Sequence, residues 1–144
     1  MNHRTPTREV TLILPMAPDM EIVASQAASA LASFIGMSPD RVDEVRMAVV
    51  EACINAFEHS HATERKVDIT FRLFGGAGAE RLEIRVHDRG MGFSPAAVEE
   101  PRIEDKLKGE RKRGWGLKII QGLMDEVEIL SGSQGTTVVM SKSR

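Results

Sequence analysis

Apolar residues recur along this chain with two periods, and the period changes at glycines and prolines. Arg8 to Pro15 is rich in β-branched residues and predicts a strand closed by Pro15. Asp19 can cap a helix to about Ile35, with Ile22, Val23, Ala27, Ala30, Leu31 and Phe34 forming one broad apolar stripe and Gly36 ending it. Ser38-Pro39-Asp40 supplies a capping hydroxyl, a proline at the first helical position and an acid in the first turn, so a second helix runs to about His59. Its core face is Val42, Val45, Val49, Cys53 and Ala56, at spacings of three and four. The period then drops to two. Val67, Ile69, Phe71 and Leu73 alternate with polar residues from Lys66 to Phe74, and Leu82, Ile84 and Val86 do so from Arg81 to His87. The glycine-rich turn 75–78 between them predicts an antiparallel hairpin. About 93–113 the chain carries Pro95, Pro101 and mixed charges without apolar periodicity. A helix from Gly114 to about Met124 and strands Glu126–Leu130 and Thr136–Met140 complete the pattern. The expected architecture is one α+β domain over 1–144, a two-layer α/β sandwich with helices on one face of a mostly antiparallel sheet.

Composition narrows the function without naming it. A chain of 144 residues buries about two-thirds of its unfolded surface in one core. With 42% hydrophobic and 28% charged residues it reads as a soluble globular protein. A formal net charge of -2 argues against direct nucleic-acid binding, which calls for basic excess. No apolar run approaches a membrane span, and no signal-peptide pattern opens the chain, so a cytoplasmic location is expected. The single cysteine, Cys53, excludes an internal disulfide and sits where an inert core thiol is expected.

Three short stretches hold candidate chemistry. Glu51 and Asn55 are one helical turn apart and share a helix face at the margin of the core stripe, with His59 one turn further on. Asp88 ends an alternating strand and is followed by Gly90 and Gly92. Gly114-Trp115-Gly116-Leu117 opens a helix behind Arg111, Lys112 and Arg113. Glycines there let the backbone approach an anion, and free N–H groups with the helix dipole attract phosphate. Taken singly, the first two read more readily as solvated helix surface and a simple turn, and the third reads equally as a basic helix start. The glycines fit neither a Rossmann fingerprint nor a Walker A loop.

Together and in this order, Glu-x3-Asn-x3-His, Asp-x-Gly-x-Gly, Gly-x-Gly-Leu and a closing Gly-Thr-Thr-Val resemble the GHKL, or Bergerat-fold, ATPases from about Ser38 to Met140. Within that superfamily the compact domain and short expected lid, about 93–113, resemble the anti-sigma-factor serine/threonine kinases. The resemblance implies ATP and Mg²⁺ as cofactors. It implies that Glu51 is the general base and that Asn55 holds Mg²⁺ through its carbonyl oxygen. Asp88 would accept from the adenine amino group, supported by Thr136 or Thr137. Gly114, Gly116 and the lid would wrap the phosphates, while Lys112 or Arg113 neutralises charge on the transferring group. His59, Gly90, Gly92, Trp115 and Leu117 are carried into the nucleotide site as positions of the same motifs.

The implied partners are a STAS-domain anti-anti-sigma protein, a sigma factor and a second copy of the chain, with no direct nucleic-acid contact and no membrane. Two related functions compete with the kinase that phosphorylates the STAS protein and sequesters the sigma factor. One is a nucleotide-gated partner-switching module with little catalysis. The other is a switch kinase of a stress-signalling complex. A base at position 51 favours catalysis, because a pure binder needs Asn55 and Asp88 but no proton acceptor.

Overall fold

The structure, a computed structural model, describes residues 5–60, 64–75, 79–89, 111–133 and 135–144, with the backbone alone at 79 and 111–115. Its elements run β1 (Arg8–Pro15), α1 (Met20–Phe34), α2 (Pro39–His59), β2 (Lys66–Gly75), β3 (Ala79–Asp88), α3 (Arg111–Leu123), β4 (Glu126–Gly132) and β5 (Gly135–Ser143). The five strands form one sheet in the order β1-β2-β3-β5-β4, with every neighbouring pair antiparallel. The expected lid lies outside the described residues up to 110. Its last three positions already belong to α3, which therefore starts before the Gly114 predicted from sequence.

Strand alternation builds the core. Paired residues on neighbouring strands point to the same face. Leu14–Val67, Ile69–Val86, Phe71–Ile84 and Leu73–Leu82 are such pairs, and Ile84 and Val86 pair onward to Met140 and Val138. All of these side chains are buried. Val45, Ala48, Val49, Ala52 and Cys53 of α2 close the core from above. α2 packs on β3 and lies between α1 and α3.

The other sheet face carries charge. Arg72 Nε donates to Glu9 Oε2 at 2.7 Å, and Arg85 Nε donates to Glu83 Oε1 at 2.8 Å. Arg72 also lies 3.7 Å from Glu83, so this nearly buried carboxylate sits between two guanidinium groups.

Both helix starts follow local chemistry, though in different ways. At α2, Ser38 Oγ accepts from the Arg41 amide at 3.4 Å and Pro39 occupies the first turn. At α1, Asp19 stands at the N-cap but with φ 74° and no side-chain capping bond, so the expected cap is not made. α1 ends in a Schellman arrangement: Met37 N–H reaches Ala32 O, Gly36 N–H reaches Ser33 O, and Gly36 takes the left-handed φ of 88° that this closure needs. The far end of α2 is closed by Arg65, whose guanidinium donates to Phe57 O at 2.9 Å and Ser60 O at 3.1 Å.

The apolar stripe predicted for α1 is corrected by the structure. Its buried residues are Ala24, Ser25, Ala28 and Ala32, whereas Ile22, Val23 and Phe34 are 47%, 41% and 63% exposed. Small side chains form the face that the rest of the molecule covers. The two serines there satisfy their hydroxyls on their own helix, Ser25 on Ile22 O and Ser29 on Ser25 O, both at 2.8 Å. Of the predicted stripe, Ala27 and Leu31 pack against the core only in part.

Candidate nucleotide site

Glu51, Asn55 and His59 are half-buried on one side of α2. They owe that placement to the core residues between them. Val49, Ala52 and Cys53 point into the sheet, so positions 51 and 55 fall on the flank that α3 approaches. Gly116 of α3 meets Glu51 directly: a Cβ built on Gly116 would lie 3.6 Å from Glu51 Oε2. Gly116 is buried, and Leu117 beside it is half-buried against the core. Two candidate residues taken from separate stretches of the sequence, Glu51 and Gly116, thus lie side by side. Lys112, Arg113, Gly114 and Trp115 lie in the first turns of α3, whose backbone alone is described. Gly90 and Gly92 lie outside the described residues.

The opposite wall comes from the sheet. Asp88 pairs with Val67 across the hairpin and continues the buried row of Leu82, Ile84 and Val86, so its carboxylate points toward the helix layer. It is 8% exposed, which is unusual for an acid. Thr136 N–H points to Asp88 Oδ1 at 3.5 Å, a long contact that links the strand end to β5. Alternation along β5 separates the two candidate threonines. Thr136 shares the face of the buried Val138, whereas Thr137 shares the outer face, where its Oγ1 lies 2.8 Å from His87 Nδ1. Thr137 is therefore turned away from the Asp88 carboxylate, and Thr136 is the threonine beside it.

Arg89, the next residue, fastens this strand end from the outer face. Its Nε and Nη2 donate to the two carboxylate oxygens of Asp68 at 2.9 and 2.8 Å, and Nη1 lies 3.3 Å from Glu64 Oε1. The guanidinium pKa is raised by its hydrogen bond and charge interaction with Asp68, against an opposing desolvation, with a smaller contribution from Glu64. Asp88 thus leaves a strand end pinned on both faces.

The donor set fits a nucleotide better than a protein-only metal cage. A buried carboxylate at the strand end suits a polar hydrogen-bonding group. Asn55 offers a neutral oxygen, which suits a hard ion that draws its remaining ligands from phosphate and water. Among the described residues no group of three or more His, Cys, Asp or Glu side chains is arranged to hold a metal ion alone.

Sequence reasoning missed the charged cluster below α3. Lys142 Nζ donates to Leu123 O and lies 3.7 Å from Glu44 Oε1 and 4.0 Å from Asp125 Oδ1. The signal was present: Thr136, Val138, Met140 and Lys142 occupy one inward-facing row of β5, so a lysine stands at a core position.

Comparison with known proteins follows the same outline. Residues 15–142 match the family model described as the histidine kinase-like ATPase domain. The serine-protein kinase RsbW of Bacillus velezensis is 31% identical over 140 residues, covering 92% of this chain and 84% of its own. That of Bacillus licheniformis is 32% identical over 140 residues, covering 89% and 81%. The crystal structure of the RsbU and RsbW domains of Rv1364c from Mycobacterium tuberculosis superposes with a TM-score of 0.68 at 23% identity, covering 98% of this chain. The chain spans 34% of that longer protein, so the likeness speaks to the fold. A match over nearly all of the chain, joined to relatives above 30% identity, makes this protein a member of the histidine kinase-like ATPase domain family, and the use of ATP comes with that membership.

Proposed function

We propose that this chain is an ATP-dependent protein serine kinase and anti-sigma factor. It phosphorylates a STAS-type anti-anti-sigma protein and, in the other arm of a partner switch, holds a sigma factor. The observation that carries this reading is the approach of Gly116 to the Glu51 carboxylate, one turn from Asn55 on the same helix. In this reading the second turn of α3, an oxygen for Mg²⁺ and a proton acceptor are neighbours, and the turn of α3 that precedes Gly116 is left for phosphate. The naming of similar proteins as serine-protein kinases supports the same chemistry.

In this reading Asp88 accepts from the adenine amino group and Thr136 N–H keeps its second role on the same carboxylate. Asn55 would hold Mg²⁺ through its carbonyl oxygen, and the ion would offset phosphate charge. His59, Gly90, Gly92, Trp115 and Leu117 complete the nucleotide surroundings. Lys112 or Arg113 offsets the negative charge of the moving phosphoryl group. Glu51 takes the serine proton as the serine oxygen bonds to the γ-phosphorus and ADP leaves with the bridging oxygen.

The protein acts as a cytoplasmic homodimer in this reading. No helix among the described residues is long and apolar enough to cross a membrane. The edge position of β1 and the exposure of Val10, Val23 and Phe34 support a second copy as the element that covers this side.

The test is Glu51→Gln, incubated with Mg²⁺-ATP and a purified STAS-domain anti-anti-sigma protein. We expect loss of phosphoserine with nucleotide binding retained. Undiminished phosphorylation by Glu51→Gln would remove Glu51 as the base. A wild-type protein that binds ATP and partner yet forms no phosphoserine in a single turnover would leave the nucleotide-gated binding module as the function.

A further inference from the structure

Lys142 is the least expected charge in this molecule. It is 5% exposed, on the core side of β5, opposite the buried Leu82. Lysines are almost never this buried unless paired. This one donates to Leu123 O, a carbonyl in the last turn of α3 that has no partner within the helix. The ammonium also lies 3.7 Å from Glu44 on α2 and 4.0 Å from Asp125 in the turn that leads to β4. The same corner is closed by three further bonds. Ser143 N–H donates to Asp125 Oδ2 at 2.8 Å, Asp125 N–H donates to Ser141 O at 2.9 Å, and Arg41 Nη1 donates to Ser143 O at 3.1 Å.

Beyond the apolar packing of Leu117, Ile120 and Leu123, two contacts relate α3 to α2. One is Gly116 against Glu51, and the other is Leu123 through Lys142 to Glu44. Gly116 and Leu123 are seven positions apart, as are Glu51 and Glu44, which is about 10 Å of helix axis in both cases. The numbers run in opposite senses, so the helices are antiparallel and the two ties are matched in spacing. A helix fixed at both points has a defined axial register and tilt. If the Lys142 tie is removed, Leu117 and Ile120 still pack α3 on the core, but the end of the helix at Leu123 loses its polar anchor and its tilt is less closely fixed.

We propose that Lys142 is a positioning residue for the phosphate-binding end of α3. It acts at a distance, by fixing the far end of the helix whose second turn contacts Glu51. This rests on the nucleotide-site reading above. That reading places adenine against β3 and β5 and the phosphates at α3, so the consequence is selective: loss of Lys142 weakens the part of the affinity that phosphates add and spares the adenine part.

The experiment compares ADP with adenosine on wild type, Lys142→Met and Glu44→Gln, by calorimetry and by displacement. Folding is checked by circular dichroism, and chemical competence by the KM and kcat for Mg²⁺-ATP. Methionine keeps the packed stem and removes the charge and the donor. Glu44 is partly exposed, so Glu44→Gln keeps the fold and only weakens the tie. Lys142→Met should lower the ratio of adenosine Kd to ADP Kd about tenfold, the scale of one charge-assisted hydrogen bond, and leave adenosine Kd unchanged. Glu44→Gln should move the ratio the same way by a smaller factor, and it decides the question if Lys142→Met does not fold. An unchanged ratio in whichever variants fold would overturn the proposal and leave Lys142 a stability residue alone. Wild-type protein that binds neither ligand would overturn the nucleotide site itself, and this inference with it.

Discussion

Gly116 faces Glu51 across the α2–α3 contact, and a methyl group at Gly116 would stand 3.6 Å from Glu51 Oε2. That is ordinary van der Waals distance, so alanine fits without displacing the carboxylate. Alanine is also a better helix former than glycine, by up to about 1 kcal/mol. Gly116→Ala should therefore melt at or above the wild-type temperature. The methyl would nevertheless occupy space beside the proposed base and crowd an anion out of that space. Phosphoserine formation should fall while stability holds or rises. A variant with wild-type rate and raised stability would show that the space beside Glu51 is not used.

Asp88→Asn tests the other wall. Asparagine keeps an oxygen for Thr136 N–H and nearly the same volume, so the strand end should remain folded. It replaces the remaining acceptor with an amide donor, which then faces the adenine amino donor. ADP affinity should fall by roughly two to three orders of magnitude or more, the scale at which buried hydrogen-bond mismatches discriminate. Guanine presents an acceptor at that position, so the ratio of GDP to ADP affinity should rise. Titration of both nucleotides against both proteins reads the outcome directly.

The elements that carry the candidate site were legible in the sequence because punctuation sets them. Glu51 and Asn55 are one turn apart on a helix whose start, Ser38-Pro39-Asp40, fixes its phase. Asp88 closes a strand whose alternation fixes which way the carboxylate points. The hairpin followed from alternation and glycines, and both C-terminal strands from the glycine-bearing turn between them, although their ends extend up to three residues further. The face of α1 was not legible, because a stripe of large apolar residues outweighed alanines in the reading. Close packing of two helices favours the opposite choice, with Ala24, Ala28 and Ala32 inside. The Asp19 cap failed because the residue takes a left-handed backbone conformation that composition does not reveal. Choosing Thr136 over Thr137 needed the register of β5 against β3, which only pairing supplies.

The exposed part of α1 leads to a prediction about assembly. Phe34 is 63% exposed, and Arg8 of the edge strand lies over its ring at 5.1 Å. Val10 and Val23 are exposed on the same two elements. If a second copy covers this side, Phe34→Glu should shift the protein from dimer to monomer in sedimentation velocity with little loss of secondary structure. A dimer that persists unchanged in Phe34→Glu would move the interface elsewhere.

Cys53 gives a prediction about alkaline pH. Burial, and secondarily the negative charge of Glu21, raise its thiol from an ordinary 9.0 to about 12. The folded state therefore keeps a proton that the unfolded state releases first. Below pH 9 both states are protonated, and the thiol contributes its full share of stability. Above pH 9 the unfolded state binds fewer protons, so stability falls as pH rises, by up to about 1.4 kcal/mol per pH unit from this one group. The loss continues until the folded thiol titrates at about 12. The window is unusually clean, since the chain has no tyrosine and only one cysteine. Lysines also titrate there, so the measurement is the difference between wild type and Cys53→Ala in urea unfolding from pH 8 to 11. The wild-type curve should fall more steeply with pH than that of Cys53→Ala, and the thiol should resist alkylation until the chain unfolds. Parallel pH curves, or rapid alkylation of native protein, would mean that Cys53 is not sealed between α2 and the sheet.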